Sequence, residues 1–150
     1  MPATATAFKT FEDLDTYQAA RAFRRAMYSV ARRLPDPEKF GLASQIRRAA
    51  VSLTNNIAEG HGRFHFLDQI KFQLQARGSL EELLDDLNVC LDENYLPQSD
   101  IAKLQTEAWH VHQLLNGYIR YLRNRHGDKP GLLREDAAPN GFSDDDPSTF

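Results

Sequence analysis

The chain has 150 residues, of which 41% are hydrophobic and 26% charged, and its formal net charge is −3 at pH 7. This length and composition predict one globular domain with a core of its own. They exclude a membrane-spanning protein, because no apolar run approaches the roughly 20 residues that a spanning helix needs. The first residues lack the pattern of a secretory signal.

Charge is distributed unevenly along the chain. Residues 128–150 carry six acidic and two basic side chains, which leaves a net charge of +1 on residues 1–127. The last segment is rich in Pro, Gly, Asp and Ser. We therefore predict a helical domain over residues 1–127 and an acidic, mostly disordered tail over residues 128–150. The single cysteine, Cys90, is expected to be a buried structural thiol of a cytoplasmic protein.

Apolar residues recur at helical spacing in the first half of the chain, and no segment shows sustained strand alternation. The first helix is predicted from about Phe11 to Leu34, since prolines follow at positions 35 and 37. The second is predicted to begin near residues 37–38 and to end at Gly60 and Gly62.

The third helix is predicted from about Phe66 to Asn94. Gly78 lies inside it, and we attribute this glycine to the close approach of another helix. The side chains expected to face the core are Ile70, Leu74, Leu80, Leu84, Leu87 and Leu91.

The fourth helix is predicted to begin after Pro97, with Ser99 as its N-cap. Its apolar residues follow in steps of three and four, which is a heptad pattern: Ile101, Leu104, Ala108, Val111, Leu115, Tyr118 and Leu122. Four helices joined by short connections predict an all-α fold, specifically an antiparallel up-down-up-down four-helix bundle.

Polar residues line one side of the second helix, next to its apolar side. They are Gln45, Ser52, Asn56, Glu59 and Arg63. Glu59 and Arg63 are four residues apart in the order that favours an ion pair, if the helix extends that far. Hydrogen-bonded polar networks can fix the register of packed helices, so we interpret this line as structural and not catalytic.

Enzymatic alternatives have weaker support. Glu59, His61 and His65 resemble a metal site in spacing, but the glycines on both sides of His61 disturb helical geometry. Ser52 and Ser79 lack a nucleophile motif. We therefore expect no catalytic residues, no metal and no cofactor. The acidic cluster at residues 81, 82, 85 and 86 is expected either to meet arginines or to be solvated.

Arginines occur in groups along the chain. Arginine suits phosphate and carboxylate partners equally well, so nucleic-acid binding is an alternative function. Aromatic residues interleaved with the basic ones, which single-strand binders use, are not evident. The candidate residues are Arg24, Arg25, Arg47, Arg48, Arg120, Arg123 and Arg125.

Two segments, FGLASQIRRAAVSLTNNIAEGHGR and ARGSLEELLDDL, resemble a known family signature. The family comprises four-helix-bundle proteins encoded within intervening sequences of bacterial 23S rRNA genes, once labelled S23 ribosomal proteins. It includes the accessory variability determinant of diversity-generating retroelements. The resemblance covers roughly residues 8–126, with Thr54 where the family often has proline and Leu84 where it commonly has glutamate.

The resemblance implies an antiparallel bundle that assembles into a ring of five, without enzymatic activity. The retroelement relatives are basic and associate with nucleic acid and a reverse transcriptase, whereas residues 1–127 carry only +1 here. We therefore expect a cytoplasmic homopentamer, with a nucleic-acid-binding accessory protein as the alternative. Arg47 and Arg48 match the signature, as do the residues expected to form a structural and oligomer seam: Gln45, Ser52, Asn56, Glu59, Gly60, Arg63, Gly78 and Ser79.

Overall fold

The computed structural model describes residues 10–125, so the predicted acidic tail lies outside the described residues. Within them the chain forms four α-helices, two short 3-10 helices and no strand. The prediction of an all-α fold is thereby confirmed. The α-helices are α1 (Asp15–Arg33), α2 (Leu42–His61), α3 (Phe66–Asp92) and α4 (Gln98–Arg125), and the 3-10 helices span Phe11–Asp13 and Asp36–Glu38.

The helix starts differ from their predicted positions for local reasons. Thr10 caps the first 3-10 helix by accepting a hydrogen bond from the Glu12 amide at 3.2 Å, so α1 itself begins only at Asp15. The prediction that α2 begins near residues 37–38 is wrong, because those residues form the second 3-10 helix. Ser99 is not the N-cap of α4. The Pro97 carbonyl accepts the Ile101 amide at 3.1 Å, which places Ser99 inside the first turn.

Each helix contributes apolar residues to the core. The helix α1 packs on α2 and α4, and α3 packs on the same two helices. Phe23 and Met27 of α1 are fully buried, as helical spacing predicts, whereas Tyr17, which the same spacing places on this face, is half-buried. In α4 most of the heptad positions are buried, while Leu104 and Tyr118 are half-buried. No helix within residues 10–125 is long and apolar enough to cross a membrane.

The buried face of α3 differs in part from its prediction. Leu74, Leu84 and Leu91 are only half-buried. The fully buried side chains include Gln73, Ala76, Leu83 and Cys90. Since α3 packs between α2 and α4, its buried face is wide, and a leucine-rich sequence does not single out the residues at its centre.

Candidate functional site

Hydroxyl and amide groups meet between α2 and α3, where the sequence predicted a structural polar line. The Ser52 and Ser79 hydroxyls share a hydrogen bond of 2.9 Å. Asn56 donates through Nδ2 to the Ser52 carbonyl at 2.9 Å and to its hydroxyl at 3.1 Å. The two serines therefore bond to each other and to an amide within the helix pair.

The C-terminal end of α2 fits closely against α3. Gly60 is buried, and a Cβ atom there would lie 2.6 Å from Gln73 Nε2 and 2.8 Å from the Phe72 Cβ. Gln73 is fully buried and donates to the Ile57 carbonyl at 3.2 Å. Only glycine lets the two helices approach this closely at residue 60.

An ion pair covers the same end of α2. Arg63 Nη2 lies 2.6 Å from Glu59 Oε1, as the spacing of the two residues predicted. The Arg63 guanidinium also lies 4.6 Å from the centroid of the Phe72 ring. Both side chains of the pair are about half exposed, so the contact is worth a few tenths of a kcal/mol up to about 1 kcal/mol.

Two residues of the predicted seam lie outside these contacts. Gln45 is exposed. Gly78 is exposed as well, and no atom lies within 4 Å of where its Cβ would be. The interpretation of Gly78 as a point of close approach is therefore wrong within the chain, because the residue lies on the outward side of α3.

The structure does not bring the seven candidate arginines onto one surface. Arg24 is half-buried and donates to Thr54 Oγ1 at 2.8 Å. Arg25 and Arg48 are exposed, and Arg47 is half-buried. The remaining three, Arg120, Arg123 and Arg125, lie in the last turns of α4. Thr16, near the start of α1, bonds to the Leu114 carbonyl, so these three residues lie far along the molecule from Arg24 and Arg25.

A groove of about 750 Å³ lies beside α1 and α2. It combines basic and apolar side chains, which suits a partner that offers both carboxylates and apolar surface. Its lining residues are Ala22, Arg24, Arg25, Ala26, Tyr28, Arg32 and Val51.

Acidic residues crowd together on α3. Burial, followed by the charges of Glu82 and Asp85, raises the pKa of Asp86 to about 6, although the charge of Arg48 on α2 partly opposes this rise. One of the predicted arginine partners is thus present within the chain. The exposed Glu82 and Asp85 remain on the outer side of the helix.

A polar network between α3 and α4, in which His112 and Asn116 are buried, was missed by the sequence analysis. Arg77 donates to Asn116 Oδ1 at 2.8 Å, and Asn116 Nδ2 lies 3.1 Å from His112 Nδ1. His112 Nε2 lies 3.2 Å from Glu81 Oε1. A neutral imidazole with its proton on Nε2 satisfies both contacts. Pairs spaced by four residues on each helix, 77 with 81 and 112 with 116, were the available signal.

We expect His112 to make stability depend on pH. Burial lowers its pKa below the ordinary 6.5, while Glu81 raises it and Arg77 lowers it to a smaller extent. The unfolded chain then binds more protons than the folded protein, so stability is present above about pH 6.5 and is lost as the pH falls below it. Denaturant midpoints on both sides of that pH measure the loss.

A His112→Gln variant isolates this contribution. Asp86 contributes to the pH dependence of stability with the opposite sign. Its raised pKa of about 6 means that the folded protein gains stability as the pH falls through that value. Subtracting the pH profile of the variant from that of the wild type removes the Asp86 contribution. Identical profiles for the two proteins would contradict the assignment to His112.

The remaining candidates for chemistry are not assembled into a site. Among residues 10–125 no group of three or more His, Cys, Asp or Glu side chains is placed to hold a metal ion. Glu59 is paired with Arg63 instead. Cys90 is fully buried, as predicted, and burial, followed by the charges of Asp86 and Glu38, raises the pKa of its thiol to about 11.

These features define an all-α protein built on four helices, in which polar side chains join α2 to α3 and α3 to α4. A family model described as the 23S rRNA-intervening sequence protein matches residues 12–117. The chain belongs to this family, as the sequence resemblance indicated. A comparison with curated proteins finds no significant match.

Proposed function

We propose that this protein is a non-enzymatic, self-assembling four-helix bundle whose copies form a ring of five. The helices would run up-down-up-down. Hydrogen bonds that join Ser52 to Ser79 and Ile57 to Gln73 support antiparallel α2 and α3, since the residue numbers change in opposite directions. Two hydrogen bonds support an antiparallel arrangement of α1 and α4 in the same way: one joins Thr16 to Leu114, and the other joins Arg33 to Asp100.

The observation that carries self-assembly is the exposure of two phenylalanines. Phe40 is 89% exposed and Phe64 is 92% exposed. They flank the two ends of α2, which at 20 residues is about 30 Å long. Burying each ring against another copy would stabilise the assembly by up to about 1.5–3 kcal/mol.

Hydrogen bonding within the polar line supports a role without catalysis. The hydroxyls of Ser52 and Ser79 bond to each other, and Asn56 donates to Ser52. Such a network specifies how two helices pack. A cytoplasmic location fits the lone, buried Cys90.

Light scattering coupled to size-exclusion chromatography tests the assembly. At micromolar concentration we expect a mass five times the 17.1 kDa of one chain. A Phe40→Ser, Phe64→Ser double variant should reduce the mass while the helix content stays unchanged, because both rings are exposed. Lys39→Ser is the matched control next to Phe40 and should keep the wild-type mass. A wild-type mass equal to one chain would contradict the proposal.

A second candidate function, nucleic-acid binding, is favoured by one arrangement on α4. Tyr121 is 53% exposed, and its ring stacks on Tyr118 with centroids 6.3 Å apart. Arg125 donates to the Tyr121 hydroxyl at 3.3 Å. Exposed aromatics beside arginines are what single-stranded nucleic acids stack on and pair with. The protein would then serve as an accessory to RNA, DNA or a reverse transcriptase.

Fluorescence anisotropy with a single-stranded RNA oligonucleotide tests this candidate. Binding should weaken steeply as salt rises, because phosphate contacts release counterions. A Tyr121→Ala, Arg125→Ala double variant should weaken binding about tenfold or more, since stacking is worth about 1–3 kcal/mol per base. Gln113→Ala, exposed on the same helix, is the control. Wild-type protein that leaves the RNA unbound at low salt would contradict it.

A further inference from the structure

Opposite charges are separated between α1 and α3. The helix α1 carries five arginines and one acidic residue, Asp15, whereas α3 carries six acidic and two basic residues. Both helices pack on α2 and α4, so they occupy opposite sides of the molecule. A basic side and an acidic side therefore face away from each other.

The exposed side chains on these two sides match in spacing. Arg25 and Arg32 line the groove beside α1 and α2 and are seven residues apart. Asp85 and Asp92 are also seven residues apart and exposed on α3. Two helical turns separate the members of each pair, a distance of about 10.5 Å along the axis.

The outer side of α3 is also open to close approach. Gly78 and Glu82 continue the line of Asp85 and Asp92 at helical spacing, and all four residues are exposed. No atom lies within 4 Å of where a Gly78 Cβ would be. A helix from another molecule can therefore approach the α3 backbone closely at this residue.

We propose that the outer side of α3 in one copy docks into the groove beside α1 and α2 of the next copy. Arg25 and Arg32 then lie opposite Asp85 and Asp92. This inference rests on the proposed self-assembly. Because the two contacting surfaces differ, the interface is heterologous, and each copy uses its groove on one neighbour and its α3 on the other. Repetition of such a contact closes a ring when the rotation permits.

The lining of the groove favours a second copy over a nucleic acid. Tyr28, Val51 and two alanines give it an apolar part, which a helix buries well and a phosphate backbone does not. On the acidic side, burial and then the charges of Glu82 and Asp85 raise the pKa of Asp86, and the contribution of these charges reflects repulsion between the carboxylates. Arginines from a neighbouring copy would relieve that repulsion.

Charge reversal on each side, followed by light scattering at low salt, tests the docking. The Arg25→Glu, Arg32→Glu variant and the Asp85→Arg, Asp92→Arg variant should each fall to the mass of one chain. Combining all four substitutions restores opposite charges across the contact, so the mass should return to that of the wild type. Lys39→Glu with Lys103→Glu changes the net charge as much as the arginine variant does, at exposed positions outside the two docking surfaces, and should leave the mass unchanged.

Mixing the two charge-reversed proteins gives a second readout. Each groove then accepts only the α3 of the other protein, so copies must alternate. An alternating ring has an even number of members, and a ring of five cannot form. We expect assemblies with equal amounts of the two proteins and a mass different from that of the wild type.

The outcomes separate this inference from the proposed function. A wild-type mass of one chain contradicts self-assembly itself. Wild-type assembly together with an unchanged mass in the Arg25→Glu, Arg32→Glu variant overturns only the docking. Loss of RNA binding in that variant, at unchanged mass, assigns the groove to phosphate and also overturns the docking.

Discussion

Replacing Gly60 with alanine is expected to lower the free energy of unfolding by about 3 kcal/mol, at the upper end of the usual range for overpacked cores. The added Cβ would lie 2.6 Å from Gln73 Nε2, 2.8 Å from the Phe72 Cβ and 3.1 Å from the Gln69 carbonyl oxygen. Side-chain rotation relieves at most the first of these contacts, so α2 and α3 must move apart. Urea denaturation followed by circular dichroism measures the loss.

Gly117→Ala is the matched control for this experiment. No atom lies within 4 Å of where its Cβ would be, and the residue lies inside α4. Alanine should therefore stabilise the protein by up to about 1 kcal/mol through its higher helix propensity. Equal stability of Gly60→Ala and wild type would show that the α2–α3 contact is looser than the distances indicate.

Replacing Asn116 with alanine is expected to destabilise the protein by about 2–4 kcal/mol through lost hydrogen bonds and a cavity. The Asn116 side chain is 3% exposed, accepts from Arg77 and contacts His112 Nδ1. Truncation removes one acceptor from a half-buried guanidinium and one donor from a buried imidazole. Thermal or urea unfolding at neutral pH measures the effect.

Two further variants on α4 test whether the loss of stability comes from the hydrogen bonds of Asn116. Asn124→Ala changes an exposed asparagine near the end of the same helix and should alter stability by less than about 0.5 kcal/mol. Asn116→Asp keeps an acceptor for Arg77 but loses the amide donor, so its stability should lie between wild type and Asn116→Ala. If Asn116→Ala is as stable as Asn124→Ala, the network contributes nothing measurable.

The helical elements were largely predictable from sequence because periodicity reports burial directly. Most of the predicted apolar positions of α1 and α4, such as Phe23 and Leu115, are buried. The family assignment was also predictable, since long signature blocks are retained. The buried face of α3 was harder to predict, because leucines occur on several sides of the helix. In addition, the fully buried Gln73 is polar and so gives no apolar signal.

Contacts between helices were harder to predict from the sequence than the helices themselves. The sequence placed Ser52 and Asn56 on one side of α2, but the pairing of Ser52 with Ser79 depends on the register of α3 against α2. The contact of His112 with Glu81 depends in the same way on the register of α4 against α3. Gly78 and Gly60 are both glycines within helices, and only the packing shows that the second is enclosed and the first is open.

Glu38 joins the segment between α1 and α2 to the segment between α3 and α4. One carboxylate oxygen accepts the Leu42 amide at 3.3 Å, and the other accepts the Tyr95 hydroxyl at 2.7 Å. The start of α2 is thereby tied to the chain segment that follows α3. Fraying of one helix end should release the other, so amide hydrogen exchange near Leu42 and near Glu93 should speed up together. These two distant segments then form one cooperative opening unit.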